Sequence, residues 1–457
     1  MAGTPSRKLR LGAFLMAPGH HVAAWRHPSS AADLGSNFRA YADIARKAEA
    51  AKFDLLFLDD TLGVRDLAPV TGERSSRSAF FEPLTLLSAL AAVTDTIGLV
   101  GTVSTTFNEP YNLARKFASL DAISAGRAGW NLVTSNTEAE ARNFSDAPHL
   151  LHANRYTRAE EFVDVVVELW NSHEDGAFLR DRASGRFLDG AKRHAIHHRG
   201  PHFSVAGPLN VARSPQGQPV IVQAGSSEPG KDLAARTAEV VFTAQQTLAD
   251  AQAFYADLKG RLAKYGRAPN DLLVMPGIFP VVGRTRAEAE DTFAELQDLI
   301  HPAVGLQLLS QMIGVDLSGH DPDGPVPDLP ETNGGKSRQH LLVDLARRDN
   351  LSIAELARRT AGARGHWQVV GTASDIADQI EERFLNGGAD GFNVMPPTLP
   401  GGLDDFIAQV LPELRRRGLA RTEYEAQTLR GNLGLGWPAR QPHRARPLAR
   451  PELERAE

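Results

Sequence analysis

The sequence predicts an α/β fold: a (β/α)8 TIM barrel with two large insertions and an extended C-terminal tail. Three observations carry that prediction. Eight apolar, β-rich runs alternate with helical patterns, as parallel β/α units do, and eight is the number at which such a barrel closes. No G-x-G-x-x-G follows the first run, which weakens the doubly wound alternative. The chain has 457 residues, well beyond the ~250 a barrel needs, and the excess falls in a few stretches rather than being spread evenly.

The strands are expected at 9–15, 53–59, 97–105, 128–135, 219–224, 240–244, 272–282 and 391–395. The helices between them are expected at 37–52, 83–94, 110–123, 152–171, 231–238, 248–265, 286–300 and 374–386, with a last one at 404–417. The first insertion, 172–218, is rich in Gly, His and Arg, with short strand-like pieces around His197-His198-Arg199-Gly200. The second, 302–367, reads as a loop, Ser318-Gly319-His320-Asp321-Pro322, and two short helices. Both would emerge between β/α units, where they could roof the mouth. One domain therefore spans 1–434. The Pro- and Arg-rich tail, 435–457, should be poorly ordered or wrap a neighbour.

Bulk composition narrows the function. Hydrophobic residues make up 42%, enough for a large core, and the net charge is −5 without strong blocks. That balance argues against a nucleic-acid or anionic-membrane partner. The absence of cysteine excludes disulfides, thiolate metal sites and a Cys nucleophile, and fits a reducing cytoplasm. No apolar run approaches the ~20 residues of a membrane span. The N-terminus lacks the apolar core of a signal peptide.

In a (β/α)8 enzyme the site lies at the C-terminal ends of the strands. Those ends here read Met16-Ala17-Pro18-Gly19-His20-His21, Asp59-Asp60, Thr102-Val103-Ser104-Thr105-Thr106, Asn131-Leu132-Val133-Thr134-Ser135, Gly225-Ser226-Ser227 and Asn393-Val394-Met395. The rim is rich in hydroxyls, amides and imidazoles and poor in charge. It holds no metal-type cluster, no H-E-x-x-H and no G-x-S-x-G elbow. The fifth end is the most specific. Strand, then Gly-Ser-Ser, then helix start can hold a phosphate, because glycine lets the backbone turn and the first helical N–H groups point at one anion. Pro229 suits the first helical turn. Taken singly, Ser226 or Ser227 is as readily an N-cap, Asp59 and Asp60 an ordinary loop start, and His152 with Tyr156 an i,i+4 pair on one helix face.

Taken together, four stretches resemble the bacterial luciferase-like flavin monooxygenases, most of all the nitrilotriacetate, dibenzothiophene-sulfone and long-chain alkane monooxygenase subgroup. They are Gly19-His20-His21-Val22-Ala23-Ala24-Trp25, Phe53-Asp54-Leu55-Leu56-Phe57-Leu58-Asp59-Asp60, the long run 97–135, and the Gly-Ser-Ser turn. The resemblance implies a two-component enzyme that uses FMNH2 and O2 to oxidise a C–H, C–N or C–S centre of a small organic substrate. A separate NAD(P)H:flavin reductase would supply the FMNH2 by diffusion. It also implies a cytoplasmic homodimer or homotetramer. FMN contacts carried over by this resemblance are Asp60, Thr102 (with Thr106 as the competing threonine), His152, Tyr156, Ser226 and Ser227. Asn131 and Thr134 are added as ring contacts. Where relatives commonly read Leu-Ala-Asp, this chain has Leu58-Asp59-Asp60, which puts a second carboxylate beside the first. His20 and, in the second insertion, His320 are candidate catalytic groups that donate a hydrogen bond or shuttle a proton; His366 is a third. Alternatives are a deazaflavin-dependent oxidoreductase on the same barrel and a non-catalytic flavin-binding protein.

Overall fold

A computed structural model describes residues 7–64, 68–135, 137–146, 149–330 and 335–438, with backbone alone at 152 and 153. The eight expected strands are β1 (Arg10–Phe14), β2 (Leu55–Leu58), β3 (Gly98–Ser104), β4 (Ala128–Val133), β5 (Val220–Ala224), β6 (Val240–Thr243), β7 (Leu273–Val282) and β8 (Gly391–Val394). All pair in parallel in that order, and β8 returns to β1 through Arg10↔Gly391, so the sheet closes as a TIM barrel. Nearly every strand residue is buried, because helices cover the outer face while side chains fill the inner one. That is why the strands read as continuous apolar runs.

The barrel helices are α1 (Phe38–Ala50), α2 (Pro83–Ala91), α3 (Pro110–Ile123), α4 (His152–Trp170), α5 (Glu228–Thr237), α6 (Leu248–Arg261), α7 (Arg286–Asp298) and α8 (Ala373–Leu385). Side-chain caps start several of them. Asn37 accepts from Ala40 N, Glu82 from Leu84 N and Thr85 N, and Thr372 forms a capping box with Asp375. The fifth helix begins at Glu228, three residues before the expected start, because Ser227 caps it and Pro229 fits its first turn.

Two expectations need correction. The second insertion holds three helices, Pro302–Ile313, Lys336–Asp349 and Ile353–Ala363, not two short ones. They bury a satellite core of their own, with Leu309, Ile313, Leu342, Leu345 and Leu356. A further strand, Trp367–Gly371, pairs with Ile278–Val282 of β7, beyond the segment of β7 that meets β6. The first insertion does not roof the mouth. Phe203 and Leu209 pack with Phe162 of α4, His198 bonds Glu161 at 2.9 Å, and its hairpin (His198–Arg199 with Ser204–Val205) lies on that flank.

The barrel interior carries Phe14, Phe57, Val100, Val222, Phe242, Met275 and Met395. The same cluster takes in Leu429, Leu433 and Leu435 from the C-terminal segment. A Cβ on Gly98 would stand 2.3 Å from Leu429 Cδ1, so this segment plugs the N-terminal end of the barrel. Arg430 ties it down, with Nη2 2.9 Å from Glu239 and Nε donating to Gln216 O at 3.1 Å. Leu435, expected to begin the tail, is thus part of the core; 439–457 lie outside the described residues. Among the described residues no helix is long and apolar enough to cross a membrane.

Candidate active site

The floor of the mouth is aromatic. Phe14 meets Phe57 at 4.7 Å and Phe242 at 5.4 Å between ring centroids. His20 stands edge-on to Phe14 at 4.5 Å, and His366 stacks on Phe242 at 4.8 Å. Gly277 makes room for this layer, since a Cβ there would approach Met395 Sδ and His366 Nδ1 at 2.5 and 2.6 Å.

Partners fix the two tautomers. His20 Nε2 lies 3.0 Å from the carbonyl of Phe14, which can only accept, so Nε2 carries the proton and Nδ1 is a bare acceptor without a partner. His366 Nε2 lies 3.3 Å from Arg338 Nη2, which can only donate, so its proton sits on Nδ1. Burial first, then nearby guanidinium groups, push both imidazoles well below their ordinary pKa, so both are neutral. His20 therefore holds Nδ1 as a buried, unpartnered acceptor, and the donor role expected for it does not fit this tautomer.

Thr102 and Asn131 sit side by side on the inner face of β3 and β4. The Thr102 hydroxyl donates to Leu58 O at 2.7 Å and accepts from Asn131 Nδ2 at 2.8 Å. Its one proton and one of its two lone pairs are in use. Asn131 Oδ1 is buried and has no partner. Thr106 differs: its hydroxyl is buried with no hydrogen bond. Between the two threonines, Thr106 is the one with a hydroxyl to offer a ligand.

At the end of β5, Gly225 adopts φ +132°, a conformation costly for a side chain, and the atom a Cβ would find within 4 Å is the Tyr156 hydroxyl. Ser227 is the N-cap of α5, accepting from Gly230 N at 3.3 Å, and it also donates to Tyr156 OH at 3.3 Å. The cap reading and the ligand reading of this turn therefore hold together. A cavity of about 270 Å³ joins Ser226, Ser227, Tyr156 and Thr134 to Lys336, Ser337 and Arg338. The latter three form the first turn of Lys336–Asp349, a turn without an acidic residue. Two helix N-termini thus face one cavity, an arrangement that favours an anion. Burial lowers the Arg338 guanidinium to about 10, and it stays cationic at neutral pH. These basic residues were missed from sequence because they arrive from an insertion far along the chain.

His152 heads α4 one turn before Tyr156, and its side chain lies outside the described residues. Asp60 is half-buried at the end of β2; burial, then Asp59, Glu82 and Glu140, raise its pKa to about 7 against a hydrogen bond from the Thr61 backbone. Asp59 lines a second cavity, of about 100 Å³, with Met16, Ala17, Leu58, Arg77 and Arg364. His320 is exposed in a turn after Leu317 and lines neither cavity. The site thus gathers Thr134, Tyr156, Ser226 and Ser227 in one cavity. Thr102, Asn131 and His20 stand in the barrel beneath the mouth, and His320 stands apart.

Comparison with known proteins converges on one family. A model described as luciferase-like monooxygenase matches residues 14–391. Nitrilotriacetate monooxygenase component A of Aminobacter aminovorans is 51% identical, over 95% of this chain and 98% of its own. N-acetyl-S-(2-succino)cysteine monooxygenase of Bacillus subtilis is 50% identical, over 94% of this chain and 98% of its own. Among solved structures, a riboflavin lyase with modified FMN and riboflavin superposes with a TM-score of 0.85 at 34% identity, covering 93% of this chain and 96% of that one.

Proposed function

This chain belongs to the luciferase-like monooxygenase family, and on that premise we propose that the cavity at the end of β5 holds FMN by its phosphate. The activity is oxidation of a small organic substrate by a flavin-dependent monooxygenase that works with a reductase partner. The carrying observation is the convergence of Ser226, Ser227, Tyr156 and two helix N-termini, with Lys336 and Arg338, on one cavity.

The residues present fit the group. Ser226, Ser227 and Tyr156 bear hydroxyls for phosphate oxygens, and the helix N-termini supply N–H groups and positive potential. The Phe14, Phe57 and Phe242 floor offers a flat apolar face of the kind a fused ring needs. The unpartnered Asn131 Oδ1 and Thr106 Oγ1 are polar atoms left for the ring or its side chain. Asp60, at the end of β2, and His152, at the start of α4, are added to the set on the family resemblance alone.

Bound reduced flavin supplies the electrons that activate O2, one atom of which enters the substrate. The chain's own task is to keep that chemistry dry and oriented. The aromatic floor, and the helix Pro302–Ile313 that walls the cavity beside β1 and β2, would shield that chemistry from solvent. His20, neutral and buried against Phe14, keeps Nδ1 as an unpartnered hydrogen-bond acceptor beneath the mouth. We assign FMNH2 delivery to a diffusing NAD(P)H:flavin reductase. A reductase-coupled assay tests the reading: oxidised organic product should form only when NADH, reductase, FMN and this chain are all present, and failure of the purified chain to bind FMN would sink it.

The deazaflavin alternative shares only the fold. A coenzyme F420-dependent tetrahydromethanopterin reductase superposes with a TM-score of 0.56 at 14% identity, too distant to carry an activity across.

A further inference from the structure

We infer that His366 is a positioning residue for the flavin phosphate: its Nε2 accepts from Arg338 and so fixes that guanidinium at the cavity of Ser226 and Ser227. This rests on the reading of that cavity as the phosphate end of an FMN site and adds a residue that acts on it through another.

Two distant segments meet in this pair. Arg338 stands in the first turn of Lys336–Asp349, and His366 directly precedes the strand Trp367–Gly371. The barrel closes without that strand. Its pairing with β7, Trp367↔Ile278, sets by register the residue that comes before it. His366 accordingly lies over Gly277, where a Cβ would approach its Nδ1 at 2.6 Å. Both Arg338 and His366 line the cavity of about 270 Å³ that also takes in Ser226, Ser227 and Tyr156.

Arg338 has two acceptors. Nη1 donates to Arg364 O at 2.6 Å and Nη2 to His366 Nε2 at 3.3 Å. The first comes from the end of Ile353–Ala363, where Arg364 and Gly365 are both left-handed, with φ +53° and +80°. Gly365 is also needed for space, since a Cβ there would stand 2.9 Å from Arg338 Nη1. The second is an imidazole that stacks on Phe242 at 4.8 Å and 23°. A guanidinium is planar, so acceptors on both terminal nitrogens leave it one orientation. Holding it there before a ligand arrives removes the cost of ordering a long side chain on binding. Only an uncharged imidazole can accept in this way, and burial keeps His366 neutral. The ring's one basic nitrogen is thereby committed to Arg338. His366, a candidate proton shuttle by sequence, is not free to act as a base.

The test compares FMN with riboflavin, which carries the same ring and ribityl chain without the phosphate. Affinities are read on the full chain by flavin fluorescence, with melting temperatures alongside. Wild type should bind FMN about tenfold or more tighter than riboflavin. His366→Phe keeps a ring on Phe242 and loses the acceptor. It should cost about tenfold in FMN affinity and leave riboflavin within about twofold. His366→Leu supplies the same comparison if the Phe variant does not fold. His366→Gln loses the ring but keeps an acceptor of similar reach, and should recover most of the FMN affinity. Arg338→Gln should lose FMN at least as far as His366→Phe, and the double variant should stay within about twofold of Arg338→Gln alone, because the two residues act as one unit. Equal losses of FMN and riboflavin in His366→Phe, a His366→Gln as weak as His366→Phe, or additive losses in the double variant would overturn the positioning role while leaving the phosphate site standing. Equal affinity of wild type for FMN and riboflavin would overturn the phosphate reading itself, and the role of His366 with it.

Discussion

The Thr102 hydroxyl holds the Asn131 side chain in one orientation: its proton goes to Leu58 O, so it can only accept from Asn131 Nδ2, and Asn131 Oδ1 is left facing outward from the pair. In the proposed FMN site, Thr102 would act on the ligand through Asn131. Thr102→Val should weaken FMN binding about tenfold, equivalent to ~1.4 kcal/mol, and lower the melting temperature, with Thr102→Ser restoring both. Thr106→Val should weaken FMN without moving the melting temperature. FMN fluorescence titration and thermal melts decide it; the reverse pattern would return the contact to Thr102.

Ser226 and Ser227 should separate by what each does besides meeting a ligand. Ser227→Ala removes the cap of α5 and the bond to Tyr156. It should cost about 1 kcal/mol of stability as well as FMN affinity. Ser226→Ala should cost affinity alone. Equal melting temperatures for the two variants would contradict the cap assignment.

Asp60 predicts a pH dependence. Its folded pKa of about 7 lies above the ~3.9 of an unfolded carboxyl, so the folded state binds the extra proton between those values. Stability associated with Asp60 is therefore present below pH 4 and lost as pH rises toward 7. Asp60→Asn should melt above wild type at pH 8 and match it more closely at pH 4. A constant difference across the range would show that the carboxyl does not titrate in this window.

His21 works in the opposite direction. Burial, then Arg364 and His27, lower it to about 3, while an unfolded imidazole titrates near 6.5. Its contribution is whole above pH 6.5 and is lost as pH falls toward 3, at about 1.4 kcal/mol per pH unit. His21 Nδ1 accepts from Ala23 N at 3.2 Å, a role an amide oxygen can take over. His21→Asn should then lower the acid slope of unfolding free energy by one proton between pH 6 and 4. An unchanged slope in denaturant titrations would refute a neutral His21.

The barrel was legible because its strands are buried on both faces and so advertise themselves as apolar runs, and because Gly225-Ser226-Ser227 couples a tight turn to a helix start. Trp367–Gly371 was not legible. It alternates buried and half-buried residues and pairs beyond the eight-strand ring, on a stretch of β7 that reads the same along its length. Lys336 and Arg338 were hidden for another reason: a basic pair at a helix start looks solvated until the insertion folds over β5. Thr102 and Thr106 could not be told apart because which hydroxyl is used up depends on Leu58 and Asn131, partners set by barrel register. His320 shows the converse error, a chemically apt residue in an insertion that puts it in solvent.

The plug at the barrel's N-terminal end joins the two extremes of the chain. Leu429 and Leu433 belong to the same interior cluster as Phe14, Phe57 and Val100, and β1 finds its second neighbour only in β8. A nascent chain therefore has no complete interior until the segment 429–435 is free. Until then the early β/α units hold apolar surface uncovered, a condition that favours aggregation. Nonsense mutations before Leu429 should yield aggregates, not shortened enzymes.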